Sequence, residues 1–264
     1  MKTLFLLLAL LTTNSILYAQ FNRHYQDTSG LNLRIQQDLK RSAFRQPKVL
    51  TWQRTIAAPL ILTSVGLYSI TDNEFLNREE VKEERDEYIP KFHHRADDYL
   101  QFAPIAAVYG LNAMGIKGKT DFANRTAIMI KAEIILTAIT FPLKKLTAVP
   151  RPDSGQPTSF PSGHTAQAFA AATFMSKEYG HKSIWYSIGA YSVASSVGIM
   201  RVMNNRHWIS DVLVGAGVGI FSTNLAYLTH QYKWGKKKKG ASTMILPSYD
   251  GRTAMVRVLF IGFD

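Results

Sequence analysis

Five apolar segments rich in small residues constrain the fold of this chain more than any other feature. They run over 101–116, 123–143, 162–178, 184–202 and 208–232, with Gly189, Ala190, Ala194, Ser195 and Gly198 in the fourth and Gly215, Ala216, Gly217 and Gly219 in the fifth. Each is long enough for a helix of several turns. Small residues let helix backbones approach closely, a device common inside membranes and equally open to a soluble bundle. The fold expected is therefore all-α, a membrane-embedded bundle of about five to six packed helices. The tail reads differently. Residues 242–248 and 252–263 alternate in polarity around Asp250-Gly251, which predicts a short C-terminal β-hairpin.

A membrane span needs roughly 20 mostly apolar residues. The segment 123–143 has that length but carries Arg125, Lys131 and Glu133. Mean hydropathy is near zero, so a soluble or peripheral exported protein stays open beside the membrane-embedded reading. Residues 1–19, with Lys2 and the apolar run Leu4 to Leu11, read as a signal peptide; Leu17 is large for a cleavage site, which leaves an uncleaved signal anchor open. The segment 20–100 is a mixed N-terminal region, 101–232 the core, and 233–264 a basic linker followed by the hairpin. Within 20–100, an apolar stretch at 55–71 is interrupted by Pro59, and 78–87 is a dense charge run that suits a solvated helix or loop.

Net charge is +12, and charged residues make up 19% of the 264. Such a balance favours anionic partners, namely phosphate esters or an acidic lipid surface. No zinc-finger spacing or aromatic-plus-basic sheet pattern points to nucleic acid. Cysteine is absent, which excludes disulfides, thiol catalysis and thiolate metal sites.

Three short stretches carry the chemistry. Lys144 is followed after six residues by Arg151-Pro152; Pro161-Ser162-Gly163-His164 comes next; Arg201 is followed after five residues by His207 and after three more by Asp211. Lys144, Arg151 and Arg201 are three fixed cations suited to clamping a phosphate, Arg as a planar fork and Lys as a point charge. Ser162-Gly163-His164 opens a helix, where free amides attract an oxyanion and Gly163 permits close approach. His207 and Asp211 stand four apart, so on a helix they share a face. The carboxylate would then fix the ring tautomer and leave the other nitrogen to attack. Taken alone, that pair reads more readily as a surface His–Asp pair capping a helix start; the other two stretches reverse that. Connectivity brings all three stretches to one end: Lys144 and Arg151 follow one helix, His164 opens the next, and two more helices run away and back.

The order and spacing of these stretches resemble the signature of the type 2 phosphatidic acid phosphatase and vanadium haloperoxidase superfamily. Every named position is filled; Met200 precedes Arg201 where many members carry Ser. The resemblance covers roughly 100–230. It implies a metal-independent phosphatase acting on a lipid phosphomonoester or pyrophosphate, with no cofactor. It assigns His207 as nucleophile, His164 as the acid, Asp211 as the partner of His207, and Lys144, Arg151, Ser162, Gly163 and Arg201 to substrate binding. A soluble non-specific acid phosphatase with the same residues, a vanadate haloperoxidase and a non-catalytic phosphate-binding envelope protein are the rival readings. His93-His94 and Asp97-Asp98 have spacing that could bind a divalent metal; their polar surroundings favour a solvated helix end.

Location follows from charge. If the run 233–239 is cytoplasmic, the preceding helix starts outside and His207 faces the periplasm. Counting forward from a cleaved signal gives the opposite side when every apolar segment spans. The two agree if 55–71 does not cross. The expectation is an exported protein, held in the inner membrane with the site facing the periplasm, or free in the periplasm.

Overall fold

The structure, a computed structural model, describes residues 48–230, 242–249 and 254–261, with side chains described over 55–230. The expected signal segment 1–19 and the basic run 233–239 lie outside the described residues. Eight helices make up the described part of the first unit: α1 (Lys48–Tyr68), α2 (Arg78–Tyr88), α3 (Ala96–Leu100), α4 (Ala103–Ala113), α5 (Phe122–Thr147), α6 (Gly163–Tyr179), α7 (Ile184–Met203) and α8 (Ile209–Leu228). The five apolar segments correspond to α4 to α8.

Local chemistry sets the helix ends. Asp121 accepts a hydrogen bond from Asn124 N at 3.0 Å and starts α5, while Lys144 and Lys145 in its last turn face the negative end of the helix dipole. Ser162 caps α6 and Ser183 caps α7. Asn205, at φ 59°, takes the left-handed conformation that Asn tolerates and turns the chain from α7 toward α8.

α8 is the centre of the unit, packed between α1, α6 and α5. Glycines make that crowding possible. A Cβ at Gly215 would lie 2.6 Å from Ser162 O, and one at Gly219 would collide with Ala166 O and lie 2.9 Å from Ala170 N; both belong to the contact with α6. On the α1 side, a Cβ at Gly217 would stand 2.9 Å from Pro59 O. The main core then fills with Phe169, Tyr191, Val197, Val212, Leu213 and Ile220, among others.

Pro59 does not interrupt α1. It lacks the N–H that would bond Thr55 O one turn back, and Asn224 Nδ2 of α8 donates to that carbonyl instead, at 3.3 Å. The charge run at 78–87 does form a helix, α2, capped by Asn77.

α5 and α8 are the two described helices long and apolar enough to cross a membrane by length and composition. They differ in surroundings. Of the most apolar stretch of α8, 89% is buried inside the protein, as in any core helix; for α5 the share is 28%. Ile130, Ile134, Phe141 and Leu146 of α5 are exposed. Arg125, which on sequence counts against a span, is wholly buried at the far end of the bundle. Its Nε lies 3.2 Å from Glu178 Oε2, and Thr120 and Tyr227 also donate to that carboxylate.

Ser242–Tyr249 and Ala254–Ile261 belong to a second unit and run as an antiparallel pair, Ser242 opposite Ile261. Residues 250–253, which include the expected Asp250-Gly251 turn, lie outside the described residues, and nothing further is built on the expected hairpin.

The glycine contacts generate a paired test. Gly219→Ala forces α6 and α8 apart and should destabilise by roughly 1–3 kcal/mol, the usual range for overpacking. Gly189→Ala in α7, where a Cβ meets nothing within 4 Å, should be neutral or stabilising by up to about 1 kcal/mol. Thermal unfolding midpoints of the two variants, one lowered and one not, check this.

Candidate active site

The end of α5, the 148–162 connection, the start of α6, the end of α7 and the start of α8 meet at one end of the bundle. One hydrogen bond ties the two helix starts together: Ser162 N donates to Asp211 O at 2.9 Å. Trp208 Nε1 donates to Pro150 O at 2.9 Å and pins the 148–162 connection to the start of α8. The Phe160–Pro161 peptide in that connection is cis.

His207 is placed differently from the sequence expectation. It precedes α8 rather than lying on it, with Trp208 at the cap position and Asp211 in the first turn. Asp211 still reaches it, because its side chain folds back toward the cap. Asp211 Oδ2 accepts from Trp208 N at 3.0 Å and from Ser159 Oγ in a short hydrogen bond, and lies 3.4 Å from His207 Nδ1. Ser159 Oγ also lies 3.4 Å from His207 Nδ1. Ser159 was not legible as a site residue; it stands two positions before Pro161 with no motif to mark it.

His207 is 2% exposed. Burial is the largest influence on its ring and outweighs Asp211, which pulls the other way; Arg201 and Lys144 add to the lowering, and the pKa falls to about 4. The imidazole is therefore neutral near pH 7. A neutral ring facing a carboxylate through Nδ1 carries its proton there, so Nε2 bears the lone pair.

The cations are arranged around this pair. Lys144 Nζ donates to Thr158 O and Pro161 O, each at 2.7 Å, and more distantly to Ser159 O, and so braces the connection. Arg151 Nε donates to Thr158 Oγ1 at 3.2 Å. Arg201 is buried at the end of α7, where its Nη1 donates to Asp97 Oδ2 at 2.7 Å. Its Nε is buried with no hydrogen-bond partner among the described residues. Arg201 acts electrostatically on Lys144, Arg151, His164 and His207 alike, which puts it between the two halves of the site.

His164 forms the second half. It is the second residue of α6, and burial and Arg201 push its pKa below the usual histidine value against the pull of Asp98 and Asp97. A cavity of about 160 Å³ is lined by His164, Arg201, Asp97, Asp98, His94 and Arg206, among others, but not by His207, Lys144 or Arg151. The Ser162 side chain is directed to capping, accepting from Thr165 N at 3.4 Å and pairing with Thr165 Oγ1. The first amides of α6, those of Gly163 and His164, have no intrahelical acceptor and remain available to an anion.

The solvated-end reading fits His93, His94 and Asp98, which are exposed, and requires correction at Asp97. Asp97 is 1% exposed and paired with Arg201, and Asp98 lies against His164. Among the described residues no group of three or more His, Asp or Glu is placed to hold a metal. Arg206, next to His207, pairs with Asp153 at 2.9 Å.

Known proteins match this region. The model of the PAP2 superfamily matches residues 125–235. A lipid A 1-phosphatase of Porphyromonas gingivalis is 35% identical over 197 residues, 69% of this chain and 42% of that protein. The chain thus spans less than half the length of that relative. Two crystal structures are also similar. LpxE of Aquifex aeolicus is 22% identical with a TM-score of 0.43, over 55% of this chain and 93% of that one. A transmembrane PAP2 type phosphatidylglycerolphosphate phosphatase of Bacillus subtilis is 21% identical with a TM-score of 0.46, over 66% and 94%. The three stretches Lys144–Pro152, Pro161–His164 and Arg201–Asp211 all fall inside residues 125–235, the region that the PAP2 superfamily model matches.

Proposed function

We propose that this chain is a metal-independent phosphatase that hydrolyses a lipid phosphomonoester or pyrophosphate through a phosphohistidine on His207. The observation that carries the reading is a buried His207 facing Asp211 through Nδ1, at the end of the bundle that also holds Lys144, Arg151 and Arg201. Nε2 attacks phosphorus while the cations take up the charge spread over the transferring oxygens. Arg201 Nε, buried without an acceptor, and the amides of Gly163 and His164 supply further donors. Lys144 and Arg151 exchange loop oxygens for phosphate oxygens when substrate enters. His164 gives its proton to the leaving oxygen and recovers one from the water that later releases phosphate. Fixed cations fill the role a metal ion plays in other phosphoryl-transfer sites.

A lipid substrate is supported by the surface of α5. Its exposed Ile130, Ile134, Phe141 and Leu146 lead to the end that carries Lys144, so a bilayer along α5 would present headgroups at the site. The similarity to a lipid A 1-phosphatase points the same way. We infer an exported protein held in the inner membrane, with the site facing the periplasm and an anionic lipid surface as its setting. The sequence supports this through the signal-like 1–19 and the basic run 233–239.

Purified protein should release phosphate from phosphorylated lipids in the presence of EDTA. Loss of turnover on chelation, restored by zinc or magnesium, would refute the metal-independent mechanism. Turnover of soluble esters with none of any phospholipid would refute the lipid reading.

The pH profile gives a second test. Attack requires neutral Nε2, so activity is present above the His207 pKa and lost as pH falls through about 4. Between about pH 3 and 5 a phosphate monoester stays a monoanion, since its second ionisation lies near 6, so a limb there belongs to the enzyme. The acid limb of kcat/KM should therefore lie near pH 4; a limb set by an ordinary histidine near 6.5 would contradict the buried, neutral nucleophile.

A further inference from the structure

The short helix α3 brings two adjacent carboxylates to the site from outside the matched region, and they do different things. Asp97 is buried and neutralises Arg201, helped by Asn204, whose Nδ2 lies 3.4 Å from Asp97 Oδ1. Asp98 is half exposed, and its Oδ1 lies 3.0 Å from His164 Nε2 and 3.9 Å from Arg201 Nη1. An ionised carboxylate only accepts hydrogen bonds, so the Nε2 it faces carries a hydrogen. The other ring nitrogen, Nδ1, is left for a ligand.

We infer that Asp98 is a positioning residue for His164, fixing the proton on Nε2 and the plane of the ring so that Nδ1 serves the leaving oxygen. This rests on the phosphatase reading above. In the first step the His207 Nε2–phosphorus bond forms and the phosphorus–oxygen bond to the leaving group breaks. The leaving oxygen takes the proton from Nδ1 of the charged His164 ring, which becomes neutral with Nε2–H on Asp98. In the second step water attacks the phosphohistidine, its proton goes to Nδ1, the His207–phosphorus bond breaks, and both rings return to their starting state.

The electrostatic setting explains why such a partner matters. Burial and Arg201 work against the protonated ring; Asp98, then Asp97, are the groups that favour it. From the segment before α3, His93, His94 and Arg95 face the same cavity, and Arg206 faces it from the α7–α8 turn. All of these are neutral or positive, so Asp98 is the carboxylate in contact with His164 that offsets them. Serving as proton donor needs the charged ring, which is present below its pKa and lost above it. Removing Asp98 lowers that pKa and moves the alkaline limb of activity to lower pH.

The test is Asp98→Asn, isosteric and partly exposed, with Asp98→Glu beside it. At pH 7 an alkyl phosphate should lose roughly tenfold or more in kcat, within the range general-acid groups contribute. A nitrophenyl phosphate, whose leaving group needs little protonation, should lose less than about threefold. The alkaline limb of the kcat/KM profile should shift to lower pH in Asp98→Asn and recover in part in Asp98→Glu. Titration of His164 by NMR in the ligand-free protein should show the same shift. An active Asp98→Asn enzyme with an unmoved limb and an unmoved His164 titration overturns the proposal, as do equal losses on the two esters. A protein whose His164 titration shifts but which hydrolyses no phosphate ester overturns the phosphatase reading itself, and the two failures are thereby told apart.

Discussion

The close approach of α8 to α6 is the constraint on which the site depends. Gly215 lies so near Ser162 O that a methyl group would not fit, and Gly219 does the same one turn further on against Ala166 O. With the helices at that separation, Ser162 N reaches Asp211 O, and the first turns of α6 and α8 are locked side by side. His164 and Asp211 are consequently held by the same contact. The small residues of α8 are therefore as much part of the site as its charged residues, because interior packing does not relax to accommodate extra atoms.

The charge arrangement at that end is balanced rather than simply positive. Arg201 is answered by Asp97, Lys144 by backbone carbonyls of the 158–161 segment, and Arg206 by Asp153. Buried cations without partners would be costly, and these contacts stabilise the site. On the proposed function, a phosphate offers more and stronger acceptors than the carbonyls around Lys144, so exchange would be favourable where the partners are neutral. Where the partner is a buried carboxylate, as at Asp97, it stays and sets the orientation of the guanidinium.

Much of this was legible in the sequence, for identifiable reasons. The helices α4 to α8 followed from apolar runs, and the meeting of Lys144, His164 and His207 at one end followed from connectivity. The placement of His207 off the helix was not legible, because spacing alone does not distinguish a residue on the helix face from one just ahead of the cap. α1 was read as interrupted at Pro59, since the compensating donor, Asn224, lies far away in sequence. Arg125 counted as an obstacle to a span until its partner Glu178 was located at the opposite end of α6. Ser159, Asp97 and Asp98 carry no local signature that separates them from solvated polar residues; the burial of Ser159 and Asp97 and the contact of Asp98 with His164 depend on helices brought together by the fold.

The measurement that tests the central claim most directly is to trap the covalent intermediate. Protein mixed with a substrate labelled on phosphorus and quenched in alkali, where phosphohistidine survives, should carry label on the peptide containing His207. His207→Ala should carry none and should not turn over. Steady turnover with no label on any peptide, or label on a different residue that persists in His207→Ala, would contradict the assignment of His207 as the nucleophile.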